Sequence, residues 1–544
     1  MGVNMERMVY LAIVLSIILI TPLVKPVYTY GQHTPHWSYR VISTEWIVED
    51  VWESDLDYDA SNLYLALDLK NDTIGHTVGI IVVNTTTGEI KYGRIMPIGY
   101  DEYVGDIDFD ERTGYVYLAG YAYNSSTGRY NAFIIRATRD LSNYDYTVLE
   151  TNYDTFFYGI RVTPGGSIYC VGSLRLSNGI RYILVAKYTV NLELINWRAW
   201  TYYADPDSGW LWNATAFDVD LDYNGNIYAL VDLEYYEKIG DDEYYSPLFV
   251  GIMKINSSLY DVEYIWYDLR NSDNNYYYSR LGIIKGGLVS STDGQYIYTA
   301  FTATDDYDTA GTPAIAVVKL YWNGTDFEEV WKKVLATQEW EWSLDIYASE
   351  VGEVVVAGAT TNDYGVGLGT SYYHQISLVL EPDGSLHSSV IGGNTSGAAI
   401  GYTTVLSRNG YVFIGGYLET SVITYYDVTN ETSIQVKGVG RIDKEHIGTY
   451  DGPRITDLEL VEAEFKPLKV ENILINDLRS LSMGKIGDSV GVSGSTSDDT
   501  ALMTLLDIQI QSPPPPVPEP FYVVLISAVT IAVATIVIIR FVRR

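Results

Sequence analysis

An internal repeat constrains this chain more than any other feature, because units that each bury only part of their apolar surface must fold as an array. Each copy begins with an alternating strand, a tight Gly or Asn turn and a strand of the form Ile/Val-Tyr-x-x-Gly. A polar loop follows, then an apolar strand often ending in Lys or Arg, then a turn into a fourth, aromatic strand. One copy reads Asp106-Ile107-Asp108-Phe109, Tyr115-Val116-Tyr117-Leu118-Ala119-Gly120 and Ala132-Phe133-Ile134-Ile135-Arg136. The next has Ile160-Arg161-Val162, Ile168-Tyr169-Cys170-Val171-Gly172 and Ile183-Leu184-Val185-Ala186-Lys187. Further copies occupy 217–254, 288–319, 344–380 and 403–442, the last using 436–442 as its apolar third strand. A less regular one lies at 54–83.

Period-two alternation argues for strands, and Asn-Gly and Asp-Gly turns argue for hairpins within each unit. Radial repetition of four-stranded sheets makes a propeller. The expected fold is therefore all-β: a seven-bladed β-propeller over 31–450. Trp37-Ser38-Tyr39-Arg40-Val41-Ile42 reads like the fourth strands elsewhere, such as Tyr264-Ile265-Trp266-Tyr267, yet it precedes the first complete unit. It is expected to supply the outer strand of the last blade, closing the ring and removing an exposed edge.

The copy Asp222-Tyr223-Asn224-Gly225-Asn226-Ile227-Tyr228 with 249–254 resembles the bacterial and archaeal seven-bladed β-propeller repeat family, whose units read roughly Asp-x-x-Gly-Asn-x-Tyr-x-x-Gly followed by Phe-x-x-Lys. The resemblance implies the fold and hardly any activity, because propellers bind, scaffold and catalyse alike.

The ends of the chain speak of address. Residues 8–20 (MVYLAIVLSIILI) form an uncharged run after Glu6 and Arg7. As a helix it would rise only about 20 Å, short of a bilayer core, which fits a secretory signal within 1–30. An uncleaved signal anchor is the alternative. Residues 521–539 carry no charge and would rise about 28 Å, enough for one transmembrane helix. Arg540, Arg543 and Arg544 follow in a tail at 540–544, which the positive-inside rule places in the cytoplasm. The expected location is thus the cell membrane, single-pass, with the ectodomain outside. A stiff proline-rich spacer at 513–520 precedes the helix. Between it and the propeller, β-like pieces at 455–464, 470–475, 490–492 and 502–510 suggest a small β-rich stalk domain over 451–512.

A formal charge of −34 argues against nucleic acid as a partner, since phosphate contacts need clustered Lys and Arg. The lone Cys170 permits no intrachain disulfide, so stability must come from the core. Asn-x-Ser/Thr sequons stand at Asn71, Asn84, Asn124, Asn213, Asn256, Asn323, Asn394 and Asn430, which makes N-glycosylation an expectation on an outward-facing chain. Missing disulfides, sequons, heavy Tyr and Ile usage and a C-terminal anchor together resemble archaeal surface proteins.

No H-E-x-x-H pair or G-x-S-x-G elbow occurs, and no cofactor is expected. Asp220, Asp222 and Asn224 match the first half of a calcium loop, but the twelfth position is Val231, which offers no carboxylate. Tyr-rich stretches at Tyr235-Tyr236, Tyr244-Tyr245, Tyr276-Tyr277-Tyr278 and Tyr372-Tyr373 fall between the assigned strands, where loops usually carry function. These tyrosines are the candidate ligand-binding residues. The expected role is noncatalytic binding of a protein or glycan at the cell surface. The alternatives are an extracellular carboxylate-dependent glycoside hydrolase or lyase, and a receptor subunit of a membrane transporter.

Overall fold

The computed structural model describes residues 35–442, apart from connections of which 201–210, 269–285 and 305–312 are the longest, together with 482–485 and 500–506. These belong to one compact unit, His33–Asp507; a second unit, Met1–Gln32 with Ile508–Arg544, lies wholly outside the described residues. The expected signal, proline spacer, membrane helix and tail therefore lie outside them too.

A first strand, β1 (Pro35–Ile42), precedes the blades. Blade 1 is β2 (Ile47–Leu56), β3 (Asn62–Asn71), β4 (Gly75–Asn84) and β5 (Ile90–Ile95). Blade 2 is β6 (Asp101–Asp110), β7 (Tyr115–Asn124), β8 (Arg129–Thr138) and β9 (Tyr144–Leu149). Blade 3 is β10 (Asp154–Val162), β11 (Ser167–Arg175), β12 (Arg181–Thr189) and β13 (Leu194–Trp200). Blade 4 begins with β14 (Leu211–Leu221), β15 (Ile227–Ile239), β16 (Asp242–Ile255) and β17 (Val262–Asp268). Blade 5 begins with β18 (Gly287–Ser290), β19 (Tyr296–Thr304), β20 (Pro313–Trp322) and β21 (Phe327–Leu335). Blade 6 begins with β22 (Glu341–Ala348), β23 (Val354–Thr360), β24 (His374–Leu380) and β25 (Leu386–Gly393). Blade 7 opens with β26 (Ala399–Leu406) and β27 (Val412–Leu418). All pairings are antiparallel, as hairpin-linked blades require.

Beyond β27 the path differs from the one expected of the sequence. The chain turns back and lays one short strand on the outer edge of each blade it passes: β28 (Thr424–Asp427) on blade 6, β29 (Ile434–Gln435) on blade 5 and β30 (Gly440–Ile442) on blade 4. The third strand of blade 7 is not 436–442 but β32 (Thr500–Leu506), which lies between β27 and β1; β31 (Ser482–Lys485) pairs on the far side of β1. Two pieces within the expected stalk range thus belong to the seventh blade. The N-terminal strand closes the ring as its fourth strand, as expected. The misassignment has a physical origin: apolar alternation marks a strand but does not say which sheet it joins.

The core lies between blades. Clusters draw on blades 1 and 2 (Tyr64, Ile80, Val116, Phe133), 2 and 3 (Tyr117, Ile134, Phe157, Leu184), 3 and 4 (Tyr169, Val185, Val231, Trp266), and so around. Middle strands are covered on both faces, so Val354–Thr360 is buried at every residue, whereas the outer strand Leu194–Trp200 alternates.

The repeated glycine has a specific cause. Inner strands carry a β-bulge, at Val104/Asp106, Phe157/Gly159, Ser343/Asp345 and Gly401/Thr403 among others. Opposite it stand Gly120, Gly172, Gly358 and Gly416, whose Cβ would sit 2.2, 1.9, 2.0 and 2.0 Å from the carbonyl oxygens of Tyr103, Phe156, Trp342 and Ile400. Only glycine admits a neighbouring backbone that close. Blades 1 and 4 have Leu67 and Val231 at that register.

Candidate functional site

In every blade the first and third strands start, and the second ends, at one face of the propeller. The bulges turn extra side chains toward the inner rim: Trp52, Tyr158, Phe217 and Tyr402 are the residues inserted in blades 1, 3, 4 and 7. Trp52 meets Tyr402 at 5.1 Å between ring centroids, and Tyr158 meets Phe217 at 6.3 Å, each pair spanning two blades.

From Tyr158 the aromatics run on across blades 3 and 2. Phe156 stacks on Tyr158 at 6.1 Å, Tyr121 stands edge-on to both, and Tyr103 stacks on Tyr121 at 5.2 Å. Tyr130 joins Phe156 at 5.3 Å, and His76 stacks on Tyr103 at 4.9 Å. Arg175 lies over Phe156 and Tyr130, held by Asp154 through Nε at 3.0 Å and Nη2 at 2.7 Å. Offset and edge-on rings within about 7 Å attract one another, so this platform is rigid. Burial and the Asp101 carboxylate push the Tyr103 hydroxyl up to about 12, and burial raises Tyr121 and Tyr158 as well. At neutral pH these hydroxyls stay protonated and can donate hydrogen bonds.

Behind Tyr158, between blades 3 and 4, Asp232 and Glu234 sit two residues apart on β15 and are both buried. Burial raises both carboxyls, Glu234 to about 7, against the pull of Arg181. The Asn213 side-chain oxygen accepts the Arg181 backbone N–H at 2.8 Å in the same layer.

The axis itself is stitched shut. Asp55 accepts from the Phe109 N–H, Asp106 from Ile160, Asp108 from Val162, Asp218 from Leu288, Asp220 from Ser290 and Asp345 from Thr404, each at 2.6–2.7 Å and each on the next blade. Thr302 accepts from the Ser343 N–H, and Ser54 meets Thr403 at 2.8 Å where blade 7 returns to blade 1. Arg161 bridges Asp106 at 3.3 Å and Asp220 at 3.5 Å. The cavity left among them is about 50 Å³, enough for a little water and no substrate. Burial pushes Asp218 up to about 8 while Arg161 opposes it.

The candidates read from the sequence do not gather on this platform. Tyr235, Tyr236, Tyr244 and Tyr245 are not in a loop: β15 and β16 continue past them, with Tyr236 opposite Tyr245 and Glu237 opposite Tyr244. Tyrosine favours strands, so the hairpin simply runs on beyond the blade. Tyr276, Tyr277 and Tyr278 lie outside the described residues. Tyr372 is exposed, and Tyr373 packs on Trp342 at 4.6 Å, beside the exposed Trp340. Asp220 is spent on Arg161 and Ser290. Asp222 caps its own turn through the Asn226 N–H at 2.9 Å and Nδ2 at 2.7 Å, and Asn224 is exposed. Among the described residues no three His, Cys, Asp or Glu groups are placed to hold a metal. Of the sequons, Asn323 is exposed, Asn71, Asn84, Asn256 and Asn394 are half-buried, Asn124 is 7% exposed, and Asn430 lies outside the described residues. Asn213 is wholly buried, so the folded chain cannot present it for glycosylation.

The platform escaped the sequence reading, and of the axial aspartates only Asp220 stood out. Asp106, Asp218 and Asp345 share one repeat position, just after the residue at which the inner strand bulges, whereas the platform rings come from three different strands of their blades.

Fold and face together define a closed seven-bladed β-propeller with an aromatic platform at one end of its axis. No protein-family model matches the chain, and no curated protein matches it. Among solved structures, a polysaccharide lyase of family PL25, an ulvan lyase, is similar at 12% identity and a TM-score of 0.44, over 76% of this chain and 99% of that one. The Dos1 propeller matches at 8% and 0.39, over 85% and 95%, and Drosophila Semaphorin 2a at 10% and 0.39, over 77% of each.

Proposed function

We propose that this protein is a noncatalytic glycan-binding propeller of the cell surface, with Tyr103, Tyr121, Tyr130 and Tyr158 of the platform as its binding face and the buried Phe156 packed against them. The continuous run of rings across two blades is the observation that supports it. Sugar rings present apolar C–H faces and polar rims, which flat aromatics and fixed hydrogen-bonding groups complement. Arg175 and the protonated tyrosine hydroxyls supply the polar contacts. The expected signal and C-terminal helix would hold the platform outside the membrane. The test is a glycan screen of the full-length chain in detergent, followed by calorimetry on the best binder. Tyr121→Ala is expected to weaken binding about tenfold; a variant that binds unchanged sinks the platform.

A second reading has its own observation, the buried Asp232/Glu234 pair beneath Tyr158. A carboxyl near 7 is suited to acid–base chemistry, as a carboxylate-dependent hydrolase or lyase requires. Polysaccharide turnover that disappears in Glu234→Gln would favour it over binding alone.

A further inference from the structure

At the face opposite the platform, the cation near the end of several third strands spans two blades. Arg136 of blade 2 donates through Nη1 to the Val190 carbonyl oxygen at 2.7 Å. Lys187 of blade 3 donates to the Ser257 carbonyl at 3.2 Å, and Lys319 of blade 5 to the Pro382 carbonyl at 3.3 Å. Each acceptor lies in the turn between the third and fourth strands of the next blade. Lys187 and Lys319 also lie over Tyr169 and Tyr298, the rings opposite them on the second strand, both at 5.1 Å. Lys254 of blade 4 reaches blade 5 by lying over Trp322 at 4.2 Å. Blade 1 breaks the series: its second-strand ring is Tyr64, but the residue opposite is Val82. Where the cation would run, between Tyr64, Val82 and the blade 2 turn Thr138-Arg139-Asp140, there is a cavity of about 380 Å³ with Lys91 and Tyr92 at its rim.

We infer that this cavity binds a small organic anion about the size of one sugar residue, its charged group between Lys91 and Arg139 and its ring against Tyr92. The volume lies toward the lower end of the roughly 300–1,000 Å³ range of small-molecule clefts. Lys91 comes from the bulge of β5 and donates to Asn62 Oδ1. It restores the missing charge from another strand, but not the missing volume, and its acceptor is neutral. On the other side Arg139 lies over Phe109 at 5.8 Å, and Phe109 stacks on Tyr64 at 4.8 Å, which holds the guanidinium at the rim. The carboxylate at the rim is that of Asp140. Its Oδ1 accepts from Thr138 Oγ1 at 2.8 Å and from the Ser142 N–H and Oγ at 3.1 and 2.7 Å, so it caps its own turn. Two cations against one carboxylate leave the cleft positive on a chain of formal charge −34. An oxyanion between a lysine and an arginine gains charge-assisted hydrogen bonds. Tyr64 and Val82, both buried, close the floor, while Tyr92 is 46% exposed and offers a ring face. The platform lies at the other end of the axis, so this site does not depend on it.

Calorimetry on the full-length chain in detergent at low ionic strength, with glucuronate, glucose 6-phosphate and glucose as probes, tests this. Both anions are expected to bind, and the tighter of the two tells whether a planar carboxylate or a tetrahedral phosphate suits the cleft. Their affinity should fall about tenfold in Lys91→Gln and in Arg139→Gln, since each change removes a charged donor. It should not fall in Asp140→Asn, which removes the opposing charge, and glucose should respond to none of the three. Anions that bind no better than glucose, or that bind Lys91→Gln as tightly as the unaltered chain, overturn the inference. Anion binding that is lost in Tyr121→Ala and kept in Lys91→Gln belongs to the platform and overturns it too. Should a variant not fold, acetylation of Lys91 in the unaltered chain, read by mass spectrometry, gives the same answer. Either anion should slow it where glucose does not, and equal rates with and without the anions refute the site.

Discussion

Replacing Gly172 with alanine should damage this protein more than any surface glycine change, and the amount can be worked from the geometry. The added Cβ would lie 1.9 Å from the Phe156 oxygen, 2.8 Å from its carbonyl carbon and 3.0 Å from the Phe157 Cα. An unstrained carbon–oxygen approach is about 3.3 Å, so β10 and β11 must part by more than an ångström. All three contacts are backbone, and no side chain can swing away. Overpacking of this kind costs about 1–3 kcal/mol, and one or two ladder hydrogen bonds stretched beyond use add about 1 kcal/mol each. The expected loss is about 2–5 kcal/mol. Gly114 is the control: its φ of +71° carries the left-handed penalty of about 1–2 kcal/mol, but nothing lies within 4 Å of its Cβ. Both changes stiffen the unfolded chain alike, so that contribution cancels in the comparison. Thermal melts by far-ultraviolet circular dichroism read the difference. A Gly172→Ala protein that melts with Gly114→Ala would refute the bulge as the reason for the repeated glycine.

Asp345→Ala removes the acceptor for the Thr404 N–H and a partner of the Thr403 hydroxyl, and should cost about 2–4 kcal/mol in a denaturant titration, because a buried donor is left unsatisfied. Stability should fall as pH rises from about 4 to 8. Asp218 holds its proton up to about 8 in the fold against an ordinary value near 3.8, so its stabilisation is complete below the lower value and lost through the upper one. Glu234, near 7, acts in the same direction. A melting temperature that climbs between pH 5 and 8 would contradict this, and Asp218→Asn should flatten the profile. Glycopeptide mass spectrometry should find Asn213 bare whatever happens at Asn84 and Asn323, and Asn213→Ala should destabilise by about 1–3 kcal/mol, since the Arg181 N–H loses its acceptor.

The repeat made the blades legible because four-strand units restate the same turn and strand chemistry seven times. Closure by Trp37–Ile42 was readable for the same reason: its aromatic alternation matches the outer strands. The third strand of blade 7 was not. Residues 436–442 have the right alternation, but sheet membership is settled by long-range pairing that local pattern does not encode. The platform hid for another reason. Tyr121 and Tyr158 sit in ordinary strands, and only the bulge and the neighbouring blade bring their rings together. The runs of adjacent tyrosines drew attention instead, because residues next to each other are visible in a sequence and residues 37 apart are not.

The placement of β32 also sets a timetable. Blade 7 joins residues 35–42 to residues 500–506, so the ring cannot close until the chain has been made past Leu506. At 5–20 residues per second, those intervening residues take on the order of 20–90 s to synthesise. Throughout that interval β1 has no seat, and β27, once made, has no third strand until β32 follows. Six blades can stack in order as they emerge, but two edges stay open to other nascent chains until the end. Overexpression should therefore fail first by association through blade 7, and a β32 peptide supplied in trans would occupy the gap and slow that loss.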